Sequence, residues 1–264
     1  MKARIGDRIK AKVASRLMTK MSRDERIVRV LLGAKREDIP ERLLLVSTSF
    51  ILDRAKSLIS KTKVVGRVTT GEFGHSRIGI VDIGMGTPSA AMMMEAVVRT
   101  DAEVLLRADF CGGLEEDHSV GDAFIAEKAI VGDGSGATYF GAEAVVGAHE
   151  GLTEYIKDIL GEMKLTQHAG TIWTTDILMK QTKELLSEWV QKGASAVDME
   201  STAILGIAEV EGVPAASLNC ISDLPLHGRG PFDSDTVDPN LLTGTDRIIQ
   251  AGLKSLISWD SSSA

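Results

Sequence analysis

The chain has 264 residues, 25% charged and 44% hydrophobic, with a formal net charge of −7. That length buries one large core, and the acidic balance excludes general nucleic-acid binding. Two cysteines without a CxxC pair or a His/Cys cluster at zinc spacing, and no apolar run long enough for a bilayer, predict a cytoplasmic, reduced protein with no metal and no membrane partner.

Ile5, Ile9, Val13, Leu17 and Met21 recur at helical spacing among Lys2, Arg4, Arg8, Lys10, Lys12, Arg16 and Lys20. This predicts an amphipathic basic helix with one narrow apolar stripe. Nothing aromatic accompanies the charges, so the stripe is expected to pack on its own subunit or on a second one. Ser22 and Glu25 form a capping box for a second helix, which Gly33 ends. Residues 1–40 therefore read as a basic helical extension and residues 41–264 as one domain.

Arg42 to Ser47 is a buried strand leading through Ser47, Thr48 and Ser49 to Arg54, by itself as much a surface helix residue as a ligand. Ile78 to Ile83 is a second strand, running into Gly84, Met85, Gly86, Thr87, Pro88 and Ser89. Glycines there allow close backbone approach, and Thr87 and Pro88 suit a helix start, so the amides near Ser89 make an oxyanion site. The next helix, Ala90 to Val98, is apolar nearly all round, which makes its methionines core filler. Glu103 to Ala108 gives a third strand ending in Arg107, Asp109, Phe110 and the turn Cys111–Gly113. Ala123 to Val131 alternates as a strand, and Gly132 to Gly136 forms a loop. After His168 to Thr171 comes Trp173, whose ring either stacks on a ligand or fills the core, and then Asp176, placed to orient a loop.

Asp198, Met199 and Glu200 open a segment in which Ala203, Ile204, Ile207 and Ala208 recur at helical spacing, so the acids are expected in its first turn. Gly212 stops that helix. Val213 to Ile221 then reads as a buried strand delivering Ser222 and Asp223 to its carboxyl end, where ligands bind in open α/β sheets. On position alone these acids either cap a helix and start a turn or face a ligand crevice. A turn-rich stretch with His227 and Arg229 follows, long enough for a lid, before a closing helix over residues 246–258. The order of elements predicts a single-domain, three-layer α/β fold: a central mixed, largely parallel β-sheet flanked by helices, plus the N-terminal helical extension.

The pair VDMES (residues 197–201) and CISDLP (residues 220–225) resembles the signature of the nucleoside phosphorylase I superfamily, which includes purine nucleoside phosphorylases, uridine phosphorylases and AMP nucleosidases. GMGTPS is similar to that family's phosphate and ribose loop, and Arg54–Lys56 matches its RAK. The resemblance implies that Asp223 protonates the departing base with Ser222 orienting it. Asp198, Glu200, Met85 and Met199 would bind ribose, and Arg54, Arg107, Gly86 and Ser89 would bind phosphate. Trp173 would lie against the base together with Asp223. It also implies a homo-oligomer, dimer or hexamer, acting on a nucleoside or nucleotide without a cofactor, with inorganic phosphate as co-substrate of a phosphorylase. Uridine phosphorylases generally lack the aspartate at position 223, which favours a purine. Phosphorolysis to free base and ribose 1-phosphate is the expected reaction. CGGL and SDLPLHG are closer to AMP nucleosidases, so hydrolysis is the alternative, and a non-catalytic purine-binding protein is the outsider. Three features depart from the family pattern: Phe110 replaces a phosphate-binding hydroxyl, Ser47–Ser49 replace a Pro-Gly turn, and no histidine precedes His75.

Overall fold

Four consecutive apolar residues decide the layering. In the strand Arg42–Val46 (β1), Leu43 and Leu45 enter one core while Leu44 and Val46 enter another. A strand buried on both faces belongs in the middle of a three-layer domain. The computed structural model describes residues 10–13, 15, 18–228, 230 and 236–260. The basic helix expected near the amino terminus lies largely outside the described residues, as does Arg229.

The other strands are Ser60–Val65 (β2), Val68–Phe73 (β3), Ser76–Asp82 (β4), Val104–Gly113 (β5), Ala123–Gly132 (β6), Val145–Gly147 (β7), Gln167–Thr175 (β8), Ala196–Asp198 (β9) and Ala215–Asp223 (β10). Their order is β10-β6-β8-β9-β5-β1-β4-β3-β2, with β7 on β6. Because β10 also pairs with β5, the strands β5, β9, β8, β6 and β10 close into a ring from which β1, β4, β3 and β2 extend. Parallel pairing joins β1 to β4 and β5, β5 to β10, and β8 to β6 and β9. Antiparallel pairs complete the mixed sheet.

One face of the sheet packs against Arg23–Leu31 (α1), Thr87–Val97 (α3) and Ser201–Glu211 (α7). The other packs against Ser49–Leu58 (α2), Glu150–Glu162 (α5) and Pro239–Ser258 (α8). Two further helices, Gly134–Phe140 (α4) and Lys183–Gln191 (α6), lie near the ring. The capping box at Ser22 and Glu25 forms as expected, and Gly212 takes the left-handed conformation that ends α7. Among the described residues, no helix is long and apolar enough to cross a membrane.

One boundary is not where helical spacing put it. Asp198 closes β9 and Glu200 precedes α7, so neither acid lies in the helix's first turn. The ladder from Ile172 and Thr174 to Ala196 and Asp198 draws these residues into the sheet. Periodicity could not mark the start of α7, since Ser201 to Ala208 are all buried.

The first turns of α8 are fixed by a glycine pair. A Cβ on Gly244 would fall 2.2 Å from the Gly121 carbonyl oxygen, and one on Gly121 would fall 2.5 Å from that of Asn240. Gly121 also has φ +95°. A backbone contact of this kind has no side chain to move aside, so Gly244→Ala is expected to destabilise the fold by about 1–3 kcal/mol. Urea unfolding reads this as a lower midpoint at unchanged slope; an unchanged midpoint would show that α8 shifts freely.

Candidate active site

The carboxyl ends of β1, β5, β9 and β10 and the loop after β4 surround a cavity of about 320 Å³. Asp223, Ser222, Asp198, Met199, Glu200, Met85 and Arg107 all line it, although they are scattered over 139 positions of sequence. That is where a crossover sheet leaves room for a ligand.

Arg107 organises one wall. It sits inside β5 between Leu45 of β1 and Ser217 of β10, and is 1% exposed. One terminal nitrogen lies 2.6 Å from Glu200 Oε2, and the other 3.2 Å from Asp198 Oδ2, with Asn219 Oδ1 also accepting from it. Burial works against this charge. Asp198, Glu200 and Asp109 more than offset it and hold the guanidinium above the ordinary arginine range.

The two acids are held from their other sides. Asp198 accepts from the Thr174 hydroxyl at 2.7 Å and the Ser201 amide at 3.0 Å. Glu200 Oε1 accepts from the Gly86 amide at 2.7 Å, which ties the loop after β4 to the start of α7. Burial pushes Glu200 up to about 7; Arg107 opposes this, and Asp109 and Asp198 reinforce it. Asp109 accepts from both the amide and the hydroxyl of Ser47, the latter at 2.7 Å, and so fastens the end of β1 to β5.

Asp223, on the same cavity, ends β10 and is 8% exposed. The Ser222 hydroxyl donates to Asp223 Oδ1 at 2.5 Å and lies 3.2 Å from the Cys111 carbonyl. Phe110 also lines the cavity, its ring 6.0 Å from that of Phe50.

Four of the expected site residues stand elsewhere. Arg54 does not line the cavity; on α2 it pairs with Asp246 at 2.5 Å and lies over Phe50. Ser89 spends its hydroxyl on the Ile83 carbonyl at 2.7 Å and its amide on Gly86, so neither is offered to an anion. Gly86 gives its amide to Glu200 in place of phosphate. Trp173 is buried against Trp189, with rings 5.5 Å apart and nearly parallel. Alternation along β8 turns Thr174 toward Asp198, and Trp173 therefore faces away, toward α6. Asp176 holds a loop, accepting from the Gly134 amide and the Thr87 hydroxyl. His227 is exposed on the turn after Asp223.

Sequence reasoning passed over Asp109 and Asn219, and over Leu178 and Gln181 on the cavity wall. Asp109 and Asn219 carried a signal: each is a polar residue inside a mostly buried strand, where burial without a partner is costly. Leu178 and Gln181 lie in a loop and had none. Among the described lining residues, Asp109, Asp198, Glu200 and Asp223 face a single cation, Arg107.

A family model described as the phosphorylase superfamily matches residues 39–257. The chain is 25% identical over 230 residues to a guanosine phosphorylase of Halorubrum lacusprofundi, covering 83% of this chain and 94% of that one. Its fold is similar to that of uridine phosphorylase from Vibrio fischeri, with a TM-score of 0.76 at 18% identity over 85% of this chain and 95% of the other. AMP nucleosidase from Bacteroides thetaiotaomicron is similar with a TM-score of 0.67 at 20% identity, over 86% and 96%.

A raised acid makes stability depend on pH. With Glu200 at about 7 in the folded chain and at its ordinary 4.5 unfolded, its contribution is fully present below 4.5 and is lost as pH rises to about 7. The slope is at most about 1.4 kcal/mol per pH unit. Urea midpoints of wild type should therefore fall relative to Glu200→Gln over this window. Parallel curves would mean that Glu200 is ionised throughout.

Proposed function

This chain belongs to the phosphorylase superfamily, and on that premise we propose that it cleaves the N-glycosidic bond of a purine ribonucleoside, with phosphate as acceptor. The observation that carries this reading is that Asp223 and Glu200 face one cavity, with Met85 and Met199 also on its wall. Breaking the bond makes the sugar cation-like and loads an electron pair onto the base. Glu200, held by Arg107 and the Gly86 amide, accepts hydrogen bonds from the ribose hydroxyls. The methionines surround the sugar without competing as nucleophiles. Asp223, oriented by Ser222, passes a proton to a purine ring nitrogen as the bond breaks, and a phosphate oxygen forms the new bond to C1′. The products are free purine and ribose 1-phosphate.

Hydrolysis is the second reading, and two observations favour it. Phe110 stands where the family places a hydroxyl, and the only cation among the described lining residues is already engaged by two carboxylates. An acidic pocket repels a phosphate dianion and admits water.

The decisive experiment incubates the protein with adenosine, inosine, guanosine and AMP, with and without phosphate, and identifies the sugar released. Ribose 1-phosphate formed only with phosphate supports phosphorolysis, whereas free ribose or ribose 5-phosphate supports hydrolysis. Asp223→Asn should lower kcat about 10²- to 10⁴-fold on purine substrates. Tight purine binding without turnover by wild type would overturn both readings.

The same reading includes a homo-oligomer. Met85 on the cavity wall and nearby Phe50 are exposed apolar groups that a second subunit would cover. Sedimentation should give a dimer or hexamer; a monomer at assay concentrations would contradict this.

A further inference from the structure

A second group of chemically able side chains lies outside the cavity. His118 is in the loop between β5 and β6, and His168 is near the start of β8. Their rings approach to 4.4 Å between centroids. Asp117 stands beside them, and one ligand atom from each of these three residues falls within 4.8 Å of the other two.

We propose that Asp117, His118 and His168 bind a borderline divalent transition-metal ion, Zn²⁺ foremost, with water completing a four-coordinate shell. Two imidazoles and one carboxylate form a donor set suited to such an ion. His168 is already arranged for the task. Its Nε2 lies 3.1 Å from Asp122 Oδ2, which fixes the proton there and directs the Nδ1 lone pair toward Asp117 Oδ2, 3.9 Å away. A carboxylate behind a ligating histidine is the usual way of orienting the ring and raising its basicity. His118 is 5% exposed, and its Nδ1 is a buried polar atom without a hydrogen-bond partner, so hydrogen bonding at that atom does not account for the ring's position.

The location gives the ion a structural task. A Cβ on Gly113 would fall 2.8 Å from His118 Nδ1 and 3.0 Å from a Leu224 methyl. The ion therefore pins the loop after β5 to β8, next to the residue that follows Asp223.

The test uses the full chain, freed of metal by dialysis against a chelator and titrated with ZnCl₂ by calorimetry and thermal melting. Wild type should take up a single Zn²⁺ per chain and melt at higher temperature with it. Co²⁺ in the same place should show the intense visible absorption of a four-coordinate ion. Uptake should be lost in His118→Gln and His168→Gln and weakened about 10- to 100-fold in Asp122→Asn, which positions His168 without touching the metal. Asp117 is an exposed side chain, so Asp117→Asn tests the site even if a histidine variant does not fold; it too should weaken uptake. Absence of saturable uptake overturns the proposal. So does uptake unchanged by Asp117→Asn and His168→Gln but abolished by Glu200→Gln, since the ion would then belong to the cavity carboxylates.

Discussion

A buried guanidinium in the middle of a sheet can persist only if carboxylates come to it, and Arg107 brings Asp198 and Glu200 to one point. Removing one member would leave an uncompensated buried charge, at a cost of about 3–5 kcal/mol. The cavity wall is therefore built from charge pairing as much as from packing. Thr174 and Ser201 donate to Asp198 and Gly86 donates to Glu200, so β8, α7 and the loop after β4 all meet at this cluster. Asp109, two residues on in β5, accepts from Ser47 at the end of β1 and fastens the two strands there.

In the proposed reaction the acids on the cavity wall divide into two roles. The Arg107 cluster offers oriented carboxylate oxygens, which suit a hydroxyl-bearing sugar. Asp223, beside Ser222 at the tip of β10, offers a carboxyl for a group that gains negative charge. Met85 and Met199, on the same wall, supply surface without nucleophilicity. The same cluster bears on the acceptor: a guanidinium committed to two carboxylates attracts an added anion far less than a free one.

Much of the site was legible in the sequence because its parts lie at strand ends flagged by local rules. VDMES, CISDLP and GMGTPS placed Asp198, Met199, Glu200, Ser222, Asp223 and Met85, and all six line the cavity. The three-layer fold was equally legible, since β1 and β10 are short, buried, mostly apolar strands that adjoin helices. Expectations failed where the outcome depends on partners far away in sequence. Arg54 finds Asp246 on α8, and Gly86 finds Glu200, 114 positions on; neither pairing has a local signature. Of the two readings open for Trp173, the core one describes its position, against Trp189 and away from the cavity; the sequence could not choose because the end of β8 is buried on both faces. His118 and His168 lie fifty positions apart, beyond any zinc spacing rule, and meet only because β6 and β8 pair in register.

The central claim is that Glu200, fixed by Arg107, recognises the sugar. Calorimetric binding of a purine ribonucleoside and its 2′,3′-dideoxy analogue tests this directly, in wild type and in Arg107→Lys. Wild type should bind the dideoxy compound at least about tenfold more weakly, because the hydrogen bonds from the missing hydroxyls to the buried Glu200 are lost. In the variant that preference should largely vanish. Equal binding of the two compounds by wild type, or an undiminished preference in Arg107→Lys, would contradict the account.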